Sequence, residues 1–357
     1  MTQTIKRILL IKFRHHGDVL LSTPLVESLK YFYPDSEIDF LIYKECEPLL
    51  KNHPDINKLL FVDRSWKSGG ISKRILEEFK LAKKIYQGKY DLVLNLTEGD
   101  RGAFYVLCSK AKVKVGIDPC GQGFLFKSKI FTHLANPHGS IKHVVESQLD
   151  FLRVLKKNPP YEKRALKLVY SEQDLGKIKK FCGQKTILVH AVSRWMFKAI
   201  PINVVKFVIQ KLIARGYKIL ITGSNLDVEK SYNQKISEGF LEEQVQNLTG
   251  QLSILELSAL IDSVDGMITC DSLPLHISSV YKKPVVAVFG PTSSIRWAPW
   301  RNPNAKIYTL GRSCQPCYQA GCQNSKESDC LTQINPEEFY HVVEETIIQN
   351  LLPSNEF

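Results

Sequence analysis

The chain has 357 residues, of which 44% are hydrophobic and 24% charged, and its 48 Lys plus Arg exceed 36 Asp plus Glu for a formal net charge of +12. That length favours two domains of roughly 100–200 residues each, and the composition excludes a disordered or low-complexity chain. No apolar run approaches the roughly 18 residues of a membrane span, which predicts a cytoplasmic protein, while the charge favours an acidic partner: a phosphorylated substrate, phospholipid head groups or nucleic acid.

The opening MTQTIKRILLIKFRHHGD has basic flanks but no small-residue cleavage site, so Lys6–Phe13 reads as a buried strand and not as a signal peptide. A helix over Leu25–Tyr33 is entered through Ser22, Thr23 and Pro24. Strands follow at Glu37–Tyr43 and Leu59–Val62, then a Lys-rich amphipathic helix at Lys73–Gln87. Tyr90–Leu96 is the next strand, followed by a helix to about Lys110, a strand at Lys112–Ile117 and a helix over Lys142–Leu155. The Lys-Lys-Asn-Pro-Pro run that follows is the clearest linker in the sequence.

The second half repeats the rhythm, with strands at Thr186–His190, Lys218–Thr222, Gly266–Cys270 and Pro284–Phe289. The helices between them fall at Ile202–Arg215, Val228–Glu238, Ile254–Ile261 and Leu275–Tyr281, and a last one at Pro336–Leu351 is free to pack on either domain. Short apolar strands alternating with helices predict parallel sheets covered on both faces. The expected fold class is α/β, as two facing Rossmann-like domains with a cleft between them. Residues 1–157 form the first domain, 158–166 the linker, 167–335 the second domain, and 336–357 a helix returning toward the interface.

Ligands of open α/β sheets bind beyond the carboxyl ends of the strands, and the polar clusters of this chain fall there. Asp18, after Gly17 and before Val19-Leu20-Leu21, reads either as a general base for an acceptor hydroxyl or as a turn or N-cap aspartate. Ser193, Arg194 and Lys198 offer a hydroxyl and two cations to phosphate oxygens. Thr222-Gly223-Ser224 ends the next strand, with Asp227 placed to accept from ribose hydroxyls. Asp271 and Ser272 precede Pro274 at a helix entry, where Asp271 caps the helix, holds a sugar hydroxyl or holds diphosphate-bound magnesium. His276, one turn in, faces the cleft or is a satisfied buried side chain. Gly290-Pro291-Thr292 is a second phosphate-competent turn.

Arg64, Lys67, Lys73 and Arg74 surround Gly69-Gly70 in what reads as a flexible loop, and Arg101 follows another strand. These cations either grip a phosphorylated acceptor or lipid head groups, or are simply solvated. Nine cysteines, an odd number, predict reduced thiols. Cys314, Cys317, Cys322 and Cys330 are close enough in sequence for a tetrahedral zinc site, but their irregular spacing without a histidine favours free thiols, and no metal ligand is assigned.

In their order and spacing these segments resemble the ADP-heptose:lipopolysaccharide heptosyltransferases, a two-Rossmann-domain GT-B family, over essentially the whole chain. The carrying segments are Gly17-Asp18-Val19-Leu20, Ser193-Arg194-Trp195 with Lys198, Thr222-Gly223-Ser224 with Asp227, Asp271-Ser272-x-Pro274-x-His276 and Phe289-Gly290-Pro291-Thr292. The C-terminal cysteine run is similar to the third-heptose branch. The resemblance implies inverting transfer of L-glycero-D-manno-heptose from ADP-heptose to the second heptose of the lipopolysaccharide inner core. It makes Asp18 the base, gives the diphosphate to Ser193 and Lys198, the ribose to Asp227, and the heptose and phosphate region to Asp271 and His276. The backbone near Leu252 would line the adenine pocket. The chain departs from the commonest family pattern at Leu273, where many members have Gly. A monomer is expected, held peripherally at the inner face of the cytoplasmic membrane by basic loops and a lipid-anchored substrate, with no required cofactor, though magnesium is compatible with the diphosphate. Two other readings stand beside it. One is a GT-B enzyme with a different nucleotide sugar; the other is a non-catalytic nucleic-acid-binding protein, which the absence of aromatic-interleaved basic stripes disfavours. No Gly-x-Gly-x-x-Gly follows the first strand, which argues against a nicotinamide dehydrogenase.

Overall fold

The computed structural model describes residues 5–124, 126–136, 141–183 and 185–349, and of Lys67 only the backbone. The chain divides into two compact units, Met1–Val169 and Tyr170–Phe357.

Unit 1 runs β1 (Arg7–Lys12), α1 (His16–Leu20), α2 (Thr23–Phe32), β2 (Glu37–Tyr43), α3 (Glu47–Leu50), β3 (Lys58–Val62), α4 (Gly70–Gln87), β4 (Leu92–Asn95), α5 (Asp100–Ser109), β5 (Val113–Ile117), β6 (His133–Ala135) and α6 (Val144–Arg153). Its six parallel strands lie in the order β3-β2-β1-β4-β5-β6. β1 is central, and Ile8, Leu9, Leu10 and Ile11 are fully buried because both faces of a parallel sheet are covered. The core above this sheet joins Leu9, Ile11 and Val93 to Leu81 and Ile85 of α4 and Val106 of α5.

Unit 2 runs α7 (Glu172–Ile178), β7 (Thr186–His190), α8 (Ile202–Ala214), β8 (Lys218–Ile221), α9 (Asp227–Ser237), β9 (Val245–Asn247), α10 (Ile254–Ser263), β10 (Gly266–Cys270), α11 (Leu273–Val280), β11 (Val285–Val288), β12 (Ala305–Tyr308), α12 (Asp329–Thr332) and α13 (Pro336–Val343). Its order, β12-β11-β10-β7-β8-β9, repeats the topology of unit 1 with β7 in the place of β1. A doubly wound sheet of this order has its topological switch beside the first strand, and the crevice at that strand's carboxyl end is where ligands gather. Capping boxes at Ser171–Asp174 and Ser253–Glu256 start α7 and α10.

Three strands escape sequence reading: β6, β9 and β12. All lie at sheet edges, where Ala135 and Val245 are their only buried residues, and an edge strand needs no continuous apolar run. The stretch expected to be a flexible loop around Gly69-Gly70 is ordered. Asp63 accepts from the Ser65 N–H at 2.8 Å to cap a 3-10 turn over Arg64–Lys67. Gly70, at φ +82, then opens α4, so Lys73 and Arg74 stand on a helix. The Pro-rich stretch at 158–166 lies against α2 and α6. Ser28 Oγ donates to the Lys163 carbonyl at 2.7 Å, the Ala165 N–H to Glu27 at 3.0 Å, and Arg164 pairs with Glu146 at 2.9 Å. The final helix is regular only to Val343, widens into a π-helical turn over Glu344–Ile348, and its expected end at Leu351 lies outside the described residues. Phe339, Tyr340 and Val343 join α8 in the unit 2 core.

Candidate functional site

Three strand ends of unit 2 meet at one charged cluster. After β7, Ser193 folds its loop back: its hydroxyl donates to the Trp195 carbonyl at 2.9 Å and accepts from the Trp195 N–H at 3.1 Å. The 3-10 turn Met196–Lys198 then delivers Lys198, whose ammonium donates to Asp271 Oδ2 at 2.9 Å and to the Asp271 carbonyl at 2.8 Å. Thr292, beyond β11, donates its hydroxyl to the same Oδ2 at 2.7 Å. Lys198 and Asp271 are both largely buried, so a fixed positive charge with its counter-ion sits at the sheet's carboxyl edge. Asp271 is therefore not a helix cap. Ser272 holds the N-cap position of α11 without a side-chain cap bond, and its hydroxyl donates to the Cys270 carbonyl at 3.2 Å.

The cluster is braced by residues that no sequence pattern singles out. Gln315 Nε2 donates to the Gly290 carbonyl at 2.7 Å, and the Tyr318 N–H to the Pro291 carbonyl at 2.8 Å. Ser328 Oγ donates to the Phe197 carbonyl at 2.9 Å, next to Lys198. A Cβ on Gly290 would lie 2.9 Å from Leu331, so only glycine admits this packing without a shift. These partners are far apart in the chain and carry no local pattern.

The remaining candidates of unit 2 serve nearby but different contacts. Thr222 Oγ1 meets His190 Nδ1 at 3.0 Å, and burial lowers the His190 imidazole to about 4, so it is neutral near pH 7. Gly223 packs where a Cβ would meet Asn233 at 2.7 Å. Asp227 is the exposed first residue of α9, while the buried Glu229, missed from sequence, accepts the Ser224 N–H at 2.6 Å and fixes that loop. Arg194 is exposed and lies over the Trp195 ring at 5.7 Å, outside the charged cluster. Leu252 is half-buried just before the Ser253 cap of α10. His276 is buried, with its ring centre 6.4 Å from that of Trp297.

In unit 1, Asp18 lies within α1 and not at its cap, which is His15. Its backbone is held by the Ser22 hydroxyl at 2.8 Å, and His16 Nε2 meets the Glu45 carbonyl at 2.9 Å. The half-buried Asp18 carboxylate has no hydrogen bond or ion pair among the described residues. Gly17 precedes it in the same turn. Nearby strand ends enclose a cavity of about 610 Å³ whose lining includes Arg14, Arg74, Arg101 and Lys127. Arg101 pairs with Glu78 at 2.9 Å, Lys127 with Asp100 at 2.9 Å and Arg14 with Glu98 at 3.1 Å. The structure thus brings Arg74 and Arg101 together and adds Arg14 and Lys127. Arg64 instead stacks on Tyr43 at 4.2 Å and pairs with Glu45 at 3.1 Å, Lys73 is exposed on α4, and the Lys67 side chain lies outside the described residues.

Among the described residues no group of three or more His, Cys, Asp or Glu is disposed to hold a metal ion. At Asp271 the Lys198 ammonium and the Thr292 hydroxyl both take the same carboxylate oxygen, Oδ2. Cys314, Cys317, Cys322 and Cys330 are free thiols, and burial followed by its cysteine neighbours pushes Cys330 up to about 11.

The sequence profile of glycosyltransferase family 9 (heptosyltransferase) matches residues 78–327. Lipopolysaccharide heptosyltransferase 3 of Escherichia coli is 34% identical over 296 residues, covering 81% of this chain and 85% of that protein. Among solved structures, a glycosyl transferase family 9 protein from Veillonella parvula superposes with a TM-score of 0.81 at 22% identity, over 98% of this chain and 99% of that one. The E. coli heptosyltransferase WaaC with ADP gives 0.73 at 17% identity, over 95% and 99%.

Proposed function

The chain belongs to glycosyltransferase family 9, the heptosyltransferases, and on that premise we propose that it transfers L-glycero-D-manno-heptose from ADP-heptose, with inversion, to the second heptose of the lipopolysaccharide inner core. Its fold is of the GT-B class, two α/β units with parallel sheets, and it is a glycosyltransferase. The observation that carries the donor half is the Lys198–Asp271–Thr292 cluster at the switch point of unit 2. As the anomeric carbon–oxygen bond breaks, negative charge builds on the departing ADP phosphate. A fixed ammonium placed there stabilises that charge without reorganisation. In this reading Ser193, Arg194, Ser272, Gly290, Pro291 and Thr292 shape the diphosphate site, Thr222, Gly223 and Asp227 the ribose side, Leu252 the adenine wall, and His276 supports the sugar.

Asp18 is the proposed base. Its carboxylate is half-buried and unpartnered among the described residues, hence free to accept the proton of the acceptor hydroxyl. The cavity lined by Arg74 and Arg101 supports an anionic acceptor, with Gly17, Arg64, Lys67 and Lys73 at or beyond its margin. No metal step is invoked, because Lys198 supplies the positive charge. The protein is proposed to act as a monomer at the inner face of the cytoplasmic membrane.

The test is transfer from ADP-heptose, with UDP-glucose in parallel, onto core lipopolysaccharide lacking its third heptose. Asp18→Ala is expected to lower kcat by about 10²–10⁴-fold while ADP affinity stays within twofold. Parallel loss of turnover and ADP binding would make Asp18 a scaffold residue, and turnover from UDP-glucose alone would discard the heptose donor.

A further inference from the structure

Helix α4 carries two apolar faces, and the fold uses one of them. Leu81 and Ile85 are buried in the unit 1 core. Glu78 pairs with Arg101 at 2.9 Å and accepts from the Tyr105 hydroxyl, both on α5, so the rotation of α4 about its axis is fixed. The second face is left in solvent: Ile71, Ile75 and Phe79 are 79%, 63% and 67% exposed, and Tyr86 is 54% exposed. Residues four apart on a helix stand one above another, so the first three form a continuous strip, which Tyr86 extends two turns on. Scattered exposed apolar residues need no explanation, but an ordered strip beside charged residues marks an interaction surface.

The charge beside the strip indicates what covers it. Lys73, Lys83 and Lys84 are exposed on the same helix with no ion pair among the described residues, while its two carboxylates are engaged, Glu77 with Lys80 at 2.7 Å and Glu78 with Arg101. A second copy of the chain docking there would set lysine against lysine. An anionic bilayer accepts both features: the apolar strip enters the head-group boundary while lysine stems reach back to lipid phosphates. No described helix is long and apolar enough to cross a membrane, so the geometry is that of a helix lying on the surface. We propose that α4 is the element by which this protein docks on anionic lipid, through Ile71, Ile75 and Phe79 with the flanking lysines. This deepens the membrane contact of the proposed function and replaces a basic loop by a basic amphipathic helix.

The test uses the full chain and needs no turnover. Flotation with vesicles of equal phosphatidylglycerol and phosphatidylethanolamine is expected to carry the protein, and phosphatidylcholine vesicles are expected to leave it behind. Ile75→Ser combined with Phe79→Ser should lower the partition coefficient at least tenfold. Its thermal midpoint, and its turnover on a delipidated core oligosaccharide, should match the wild type, because both side chains point away from the core. In a Phe79→Trp variant, indole emission should shift to shorter wavelength with phosphatidylglycerol vesicles. No binding to those vesicles, equal binding by the double variant, or no emission shift would overturn the proposal. A wild-type dimer in gel filtration that the double variant abolishes would assign the strip to a protein partner and overturn it equally. If no transfer activity is found while vesicle binding behaves as described, the function fails and the docking surface stands.

Discussion

Separating Lys198 from Asp271 tests whether the charged cluster is a structural pair as well as a ligand site. Lys198→Met leaves the Asp271 carboxylate with the Thr292 hydroxyl at 2.7 Å as its remaining side-chain donor among the described residues. Asp271→Asn leaves a buried ammonium with only the main-chain carbonyl at 2.8 Å and a neutral amide. The side chains are 15% and 8% exposed, which puts the cost between the ~0–1 kcal/mol of a surface pair and the ~3–5 kcal/mol of breaking a buried one. Each single change should therefore cost about 2–3 kcal/mol. For a unit of this size that corresponds to a fall in Tm of roughly 4–12 °C. The double variant should cost less than the sum of the singles by about 1–2 kcal/mol, since the second change removes the charge that the first stranded. Urea and thermal unfolding followed by circular dichroism measure all four corners of this cycle. Single-variant losses below about 0.5 kcal/mol that add without coupling would show that water satisfies both groups and that the pair contributes nothing to the fold.

Three further outcomes follow from the geometry. Gly290→Ala should destabilise unit 2 by about 1–3 kcal/mol and raise KM for the nucleotide sugar, because its methyl group meets Leu331 at 2.9 Å; Leu331→Ala in the same chain should restore part of both, and no rescue would place the strain elsewhere. His190 has a folded pKa lowered to about 4 by burial, against 6.5 without it. Between those values the unfolded state binds a proton that the folded state refuses, so stability is lost as pH falls from about 6.5 to about 4, by up to ~1.4 kcal/mol per pH unit. His190→Asn should flatten that slope in urea titrations, and an unchanged slope would assign acid sensitivity to other groups. Arg74→Ala should raise KM for the acceptor about tenfold, the scale of one charge-assisted hydrogen bond, with ADP affinity unchanged by calorimetry; an unchanged acceptor KM would remove Arg74 from the site.

Much of the architecture was legible because its signals are local. Buried parallel strands such as β1, β2, β7 and β10 must be continuously apolar, and helix entries such as Ser22-Thr23-Pro24 carry their caps with them. The switch-point rule directs attention to the strand ends that carry Lys198, Asp271 and Thr292, and these three side chains meet in one cluster. What they do to one another was not legible. Asp271 looked equally like a helix cap, and its real partners arrive from two other strand ends, 73 and 21 residues away along the chain. Edge strands β6, β9 and β12 hid because one exposed side removes the pattern that betrays a strand. Gln315, Ser328, Leu331 and Lys127 hid because a side chain becomes a brace or a pocket wall only when distant segments fold against it. Sequence by itself determined the buried strands and the long helices, since propensity and periodicity act between near neighbours. The tertiary structure alone decided which polar groups share an oxygen and which apolar strip of α4 stays outside, because burial and pairing belong to the packed chain and not to any window of it.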